Sequence, residues 1–258
     1  MLLDFSKIEL GADGRPEPPT LVLRTLAEQT LGVISGAYNV RFDINLSDLS
    51  TIEFTVPYMT DGVVTPLYDQ IVGYKVVYTS AYGIYVLTRP EITGDGVKEV
   101  KQVTGYSLEY LREKKQLFLE EGLYKFWNVH GERQDTILGR VVEAFPGWEV
   151  SCTDTKLIDT YRYFDQTEVD ALSFCYSDVA DKFHCVIAFD VYSKTIHAFD
   201  ANSSLGMVPI YLSFDNLVQS VSVTELTDEI KTKLHVYGAD DLSIASVNPT
   251  GTDYIVDL

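Results

Sequence analysis

The sequence predicts an α+β fold that is mainly antiparallel β, with two β-barrel-like or sandwich-like domains and a helix-containing domain between them. Period-two alternation of apolar residues fills the first hundred residues, helical periodicity is confined to the middle, and extended runs return in the last third. We therefore expect three domains: a β-barrel-like domain over residues 1–104, a helix-containing α+β domain over 105–183, and a second β-rich domain over 184–258.

Four extended runs support the first domain. Apolar and polar residues alternate over 39–46 and again over 51–56, where Pro57 ends the run because proline cannot donate to a strand ladder. Residues 71–78 and 83–88 are two further β-rich runs, and the four residues between them are few enough for a hairpin. Short strands with frequent turns are typical of an antiparallel sandwich or small barrel.

Three helices are expected in the middle of the chain. Ser107 is placed to cap a helix that extends to Phe118, although two lysines interrupt its apolar stripe. A second helix begins near Asp135 and ends before Pro146. A third begins at Thr167, and its apolar residues follow one helical face. That stripe consists of Leu172, Cys175, Tyr176, Val179 and Phe183.

The last third of the sequence is β-rich again. Residues 185–190 and 195–200 are predicted to form a hairpin, and Val221, Val223, Leu234 and Val236 mark further strand candidates. Residues 253–258 alternate like a strand and then stop. We therefore expect the second β-rich domain to be truncated at its C-terminus.

Charge and composition exclude several classes of function. The 258 residues include 20 Lys and Arg against 38 Asp and Glu, a formal charge of −18 that disfavours specific binding to nucleic acid or to an anionic membrane surface. No apolar run reaches the roughly 18 residues that a membrane-spanning helix needs, and no signal peptide is visible at the start. The three cysteines, Cys152, Cys175 and Cys185, are predicted to be reduced and buried.

No motif predicts chemistry. The sequence lacks the CxxC and HExxH patterns of zinc sites, the GxSxG turn of serine hydrolases, and the glycine-rich loops that bind phosphates. We therefore predict no catalytic, cofactor-binding or metal-binding residue, no cofactor, and unknown substrate-binding residues. The surplus of aromatics, with 17 Tyr, 12 Phe and 2 Trp, favours core and subunit-interface packing over sugar binding.

The order of several segments resembles the N-terminal region of the tail-associated hub proteins of long-tailed phages and prophages of Gram-positive bacteria. This family is also known as prophage tail endopeptidase, tail-associated lysin or minor structural protein. The matching segments are 49–57 (LSTIEFTVP), 106–108 (YSL), 147–150 (GWEV), 167–172 (TEVDAL) and 237–255 (YGADDLSIASVNPTGTDYI). The last segment is the most specific of the five.

The resemblance implies a phage tail hub-like fold and a structural role at the virion tail tip, after assembly in the cytoplasm of the host bacterium. A homotrimer would extend the tail tube as a ring and anchor the distal tail protein and receptor-binding proteins or a fibre. Any lytic activity is expected in segments beyond this chain, so the chain itself is not expected to be an enzyme. The alternatives are a cell-wall-degrading tail lysin and a cell-wall carbohydrate-binding module that uses residues such as Trp127 and Trp148.

Overall fold

Antiparallel strands dominate the computed structural model, which describes residues 7–12, 16–94, 98–130, 133–166, 168–202, 233–235 and 243–256. Helices are few and short, so the mainly antiparallel α+β class is confirmed. The chain divides into two compact units, Met1–Leu205 and Gly206–Leu258. The domain boundaries expected at residues 104 and 183 stay predictions.

The N-terminal part of the first unit is a single curved sheet with an attached hairpin. Its strands are β1 (Val22–Arg24), β2 (Thr30–Val33), β3 (Tyr38–Asp43), β4 (Thr51–Pro57), β5 (Met59–Thr60), β6 (Val63–Val64), β7 (Val76–Tyr78), β8 (Ile84–Leu87), β9 (Glu91–Gly94) and β10 (Glu99–Ser107). The strand order is β2-β1-β7-β8-β10-β4-β3, with β9 also paired to β10, and β5 pairs only with β6 among the described strands. All of these pairings are antiparallel.

The alternation in β4 sets the inner face of this sheet. Ile52, Phe54 and Val56 are buried, as the period of two predicts. The predicted β7–β8 hairpin is confirmed, with Tyr78 opposite Ile84. The run predicted over 71–78 is too long, because Gly73 and Tyr74 form a turn, with Tyr74 at φ 59°, and β7 begins at Val76. A short 3₁₀ helix (Tyr68–Gln70) precedes Ile71, whose side chain is buried in the core.

The connection between β2 and β3 forces the sheet to curl. These strands are its two edges, yet only residues 34–37 join them. Seven flat strands would place the edges about 29 Å apart, at roughly 4.8 Å a strand. Four linking residues span at most about 18 Å. The sheet is therefore a half-barrel, and the described residues form no ladder between β2 and β3.

The rest of the first unit mixes short ladders with helices. Its elements are β11 (Gln116–Phe118), β12 (Gly122–Lys125), α1 (Ile137–Glu143), β13 (Glu149–Ser151), α2 (Thr155–Ile158), β14 (Tyr161–Phe164), β15 (Glu168–Asp170), α3 (Ala171–Phe174), a π-helical turn (Cys175–Val179), α4 (Ala180–Phe183), β16 (Cys185–Asp190) and β17 (Thr195–Asp200). Antiparallel pairs join β11 to β15, β12 to β14, and β16 to β17. Strand β13 runs parallel to β17.

Two of the three predicted helices need correction. The helix expected from Ser107 to Phe118 is wrong: β10 runs through Ser107, a 3₁₀ helix (Leu108–Arg112) follows, and β11 comes next. Pairing of β10 with β4 and β8 outweighs the local capping signal. The third helix begins at Ala171, because residues 168–170 pair with β11. The Asp170 side chain accepts a hydrogen bond from the Gln116 side chain (2.6 Å) and does not cap the helix. Thr167 lies outside the described residues.

The run predicted over 39–46 is too long, because β3 ends at Asp43 and Leu46 is exposed. The second predicted helix and the apolar stripe of the third are confirmed. Thr136 caps α1 by accepting a hydrogen bond from the Gly139 amide (3.1 Å), and the stripe from Leu172 to Phe183 faces the core. The hairpin of β16 and β17 has the predicted bounds. In the second unit, β18 (Lys233–His235) pairs antiparallel with β19 (Tyr254–Val256), and a 3₁₀ helix covers Ile244–Ser246. The strand candidates Val221, Val223 and Val236 lie outside the described residues.

Two apolar cores lie within the first unit. One fills the half-barrel, the other lies among the helices and strands of residues 117–198, and Trp148 packs against both. A polar clamp also joins them: the Tyr192 hydroxyl donates to the Thr79 carbonyl (2.8 Å) and accepts from the Gly83 amide (2.7 Å). It ties the β16–β17 turn to the β7–β8 hairpin.

A buried carboxyl lies at the same junction. Glu109 is fully buried after β10, and its Oε1 accepts hydrogen bonds from the hydroxyls of Ser107 (2.8 Å) and Tyr176 (3.3 Å). Burial raises the pKa of Glu109, whereas these two hydrogen bonds oppose the rise. Its Oε2 has no hydrogen-bond partner among the described residues.

Candidate interaction surface

The described residues that could act as nucleophiles or metal ligands do not lie together in one site. All three cysteines are buried free thiols, as predicted, and burial raises the pKa of Cys152 and Cys175, and that of Cys185 to about 12. Within the described ranges, no three His, Cys, Asp or Glu side chains are grouped to hold a metal ion. The described part of the first unit instead offers surfaces with exposed apolar side chains.

One of these surfaces lies at the opening of the half-barrel. We call it the seam surface and define it by strand edges β2 and β3 together with hairpin β5–β6. Its exposed apolar side chains are Val33, Tyr38, Met59, Val63 and Val64. Edge strands present backbone groups that can pair with another chain.

The seam surface depends on a tight hairpin and on the segment that follows it, residues 67–71. Asp61 and Gly62 both have positive φ (51° and 79°), as a two-residue primed turn between β5 and β6 requires. After the hairpin, Leu67 packs against Gly32 of β2, where an added Cβ would lie 3.0 Å from it. Buried Lys101 donates to the carbonyls of Tyr68 (2.6 Å) and Ile71 (3.2 Å) and so fixes this segment to β10. Residues 67–71 therefore pack against β2 and β10, and the apolar side chains of the hairpin remain exposed.

A groove of about 930 Å³ runs beside the hairpin. It is lined by Tyr38, residues 57–62, Gly94 and residues 98–100. At the Tyr38 end, β3 carries a bulge between Tyr38 and Arg41, with Asn39 at φ 52°. Bulges are common where an edge strand stops pairing, so the edge of β3 is available only in part.

A second apolar surface lies on the small β12–β14 ladder. Leu123 and Tyr163 are opposite each other, and Tyr161 lies two residues along the same strand, so these three side chains share one face. All three are at least half exposed. The opposite face buries Tyr124 and Phe164 in the core. We call the exposed side the tyrosine face.

Both tryptophans contribute to the core. Trp127 is 3% exposed, and Trp148 packs edge-on against Phe145 and Phe189. Neither forms an exposed sugar-binding platform in the described structure. In the parts of the chain that the structure describes, no helix has the length and apolar character needed to cross a bilayer.

Comparison with known proteins shows similarity to prophage and phage tail proteins. No protein-family model matches the sequence. The chain is 22% identical over 249 residues to the SPbeta prophage-derived uncharacterized protein YomG of Bacillus subtilis (strain 168), covering 93% of this chain and 27% of that protein. The chain thus spans much less than two thirds of the length of its curated relative.

Three solved structures that resemble the chain are tail proteins. Prophage tail protein gp18 from Listeria monocytogenes EGD-e gives a TM-score of 0.51 at 11% identity, over 69% of this chain and 50% of that one. The tail protein from Neisseria meningitidis MC58 gives 0.47 at 6% identity, over 70% and 50%. The 43 kDa tail protein of prophage MuSo2 from Shewanella oneidensis gives 0.48 at 11% identity, over 69% and 53%. The similarity to the Listeria tail protein, with a TM-score of 0.51, supports the fold.

Proposed function

We propose that this chain is a structural component of a phage or prophage tail, located in the hub of the tail tip. In this role, copies of the chain form a ring, which we propose to be a homotrimer, that continues the tail tube. The distal tail protein and receptor-binding proteins or a fibre attach to it. The chain does no bond chemistry in this role, and any lytic activity belongs to other segments of the full protein.

The observation that carries the proposal is the seam surface. A ring of identical subunits needs two different complementary faces on each subunit. The half-barrel has two unlike edges, β2 and the bulged β3, and an apolar hairpin beside them. Val63, at 67% exposure, is a large apolar side chain at the tip of a β-hairpin. Such a side chain is stabilised when a neighbouring subunit covers it. The prophage origin of the relative and the fold of the Listeria tail protein agree with this role.

The test uses the phage or prophage that carries this gene. We expect the protein in purified tails by mass spectrometry, and antibodies against it at the tail tip by electron microscopy. Val63→Asp is expected to abolish tail assembly, since it would bury a carboxylate without a partner in the ring contact. Tyr74→Asp is the matched control, because Tyr74 is 69% exposed and lies outside the seam surface.

Three results would contradict the proposal. The first is absence of the protein from purified tails. The second is antibody binding along the length of the tail rather than at its tip. The third is normal assembly of Val63→Asp tails, or equal loss with Tyr74→Asp. Native mass spectrometry of dissociated tails tests the trimer separately.

A carbohydrate-binding role is the second candidate, and the tyrosine face favours it. Exposed tyrosines offer flat apolar rings with a polar tip, which suits sugars. Pull-down of the chain on purified cell walls, compared with Tyr161→Ala and Tyr163→Ala variants, tests this role. Zymography on the same walls tests the lysin alternative, for which clearing by this chain alone would be required.

A further inference from the structure

A small cavity lies within the seam surface, between the β5–β6 hairpin and the segment that connects β2 to β3. Its volume is about 210 Å³, and it is lined by Ser35, Gly36, Thr60 and residues 63–66. Most of this lining is apolar, and the cavity opens to solvent. A cavity of about 150 Å³ is large enough to bind benzene, so this one has room for an aromatic side chain.

The wall of this cavity holds a polar group whose hydrogen bonding is incomplete. Thr65 is 4% exposed, and its Oγ1 is shielded from solvent and has no hydrogen-bond partner among the described residues. The Thr65 amide donates to the Tyr58 carbonyl (2.8 Å), so the residue is held in place. A buried hydroxyl without a partner is costly. An occupant with an apolar ring and a hydroxyl at its tip would fill the cavity and remove this cost.

The tyrosine face presents such a group. Tyr161 is 50% exposed, and its hydroxyl makes no hydrogen bond to a described residue. Tyr163 is equally exposed, but its hydroxyl already donates to the Glu121 carboxylate. Of the two tyrosines on this face, Tyr161 is therefore the one whose hydroxyl is available to a new partner.

The exposed areas of the two surfaces suit a contact between two copies of the chain. At the areas typical of their side chains, the tyrosine face exposes about 300 Å² of apolar surface and the seam surface about 400 Å². An interface of standard size buries about 1,600 Å² in total, of which somewhat more than half is apolar. The two surfaces together supply most of that apolar area. They are also unlike each other, as a ring contact requires.

We propose that the tyrosine face of one copy docks on the seam surface of the next copy. The Tyr161 ring enters the seam cavity, and its hydroxyl forms a hydrogen bond with Thr65 of the neighbouring copy. This inference rests on the proposed ring and names the second of the two faces that each subunit uses in it.

The test measures crosslinking between two single-cysteine variants of the full chain. One carries Val63→Cys beside the cavity, the other carries Leu123→Cys on the tyrosine face, and a short bismaleimide joins thiols that come close. The three native cysteines are buried and should not react. At about 1 mM of each chain, where even a weak contact is half formed, we expect a product that joins position 63 to position 123. Tyr74→Cys mixed with Leu123→Cys is the control, because Tyr74 lies outside both surfaces.

Removing each hydroxyl in turn tests the hydrogen bond. Tyr161→Phe and Thr65→Val should each raise the concentration needed for half-maximal crosslinking by roughly fivefold. Both changes together should cost no more than either alone, because the same hydrogen bond is lost in each case. Tyr74→Phe should leave that concentration unchanged. Thermal melts should show that Thr65→Val does not destabilise the free chain, since the lost hydroxyl has no partner there.

The outcomes separate this contact from the proposed tail role. The proposal is overturned if the 63–123 product does not exceed the Tyr74 control, both in solution and in purified tails that carry both cysteine variants. Unchanged crosslinking by Tyr161→Phe would also overturn it, as would cell-wall binding through Tyr161 without the crosslink. Absence of the chain from tails, with the 63–123 product still formed in solution, would contradict the tail role and leave the contact supported.

Discussion

Replacing Tyr192 by Phe tests how the two cores of the first unit are held together. The change removes one hydroxyl and leaves the ring in place. The buried Gly83 amide and the buried Thr79 carbonyl each lose their hydrogen bond to it. A buried polar group left without a partner costs about 1–3 kcal/mol, so we expect a loss of roughly 3 kcal/mol in the free energy of unfolding. In a unit of this size that loss lowers Tm by roughly 6–12 °C.

The assay is urea unfolding of the full chain, followed by tryptophan fluorescence. Tyr82→Phe is the matched control, because Tyr82 is also partly buried and its ring stacks on Phe42 at 4.7 Å. Its hydroxyl makes no hydrogen bond to the described residues, so we expect a change below about 0.5 kcal/mol. If both variants lose the same stability, or Tyr192→Phe loses less than about 0.5 kcal/mol, the clamp does not join the cores as argued.

Three further predictions concern single buried positions. Gly139→Ala should lower the free energy of unfolding by about 2 kcal/mol although alanine favours helices, because the added Cβ would overlap the Arg133 carbonyl oxygen. Gly122→Ala is the control in the same unfolding assay and should be nearly neutral, because a Cβ at Gly122 would meet open space. Glu109 has a folded pKa above its unfolded value, so its contribution to stability is full below the unfolded pKa and is lost as pH rises through the folded pKa. Urea midpoints should therefore favour Glu109→Gln increasingly from pH 4 to pH 8, and a constant difference would be inconsistent with a raised pKa. The three buried thiols should resist an aromatic disulfide reagent in the native chain and react fully in urea, and rapid native labelling would contradict their burial.

The sequence correctly predicted those elements whose buried residues recur with the period of a strand or a helix. Strand β4 and the β16–β17 hairpin agree with their alternation, and α1 agrees with its apolar spacing and its Pro146 stop. Prediction failed where distant pairing outweighs local preference. Residues 107–118 carry helical signals, but β10 pairs with β4, which lies about fifty residues earlier, and this ladder holds the chain extended through Ser107.

The seam surface could not be predicted from local sequence. The half-barrel curvature depends on which strands become edges, and that depends on long-range pairing.

The position of β10 in the sheet has a consequence for synthesis on the ribosome. This strand pairs with β4, β8 and β9, so the sheet cannot be completed until residue 107 has emerged. Until then, the hairpin of β3 and β4 exposes both a free strand edge and the apolar side chains of Ile52, Phe54 and Val56. Such non-local closure is slow, and nascent chains in this state are prone to aggregate. Translation rate and chaperone supply should therefore govern the yield of this protein.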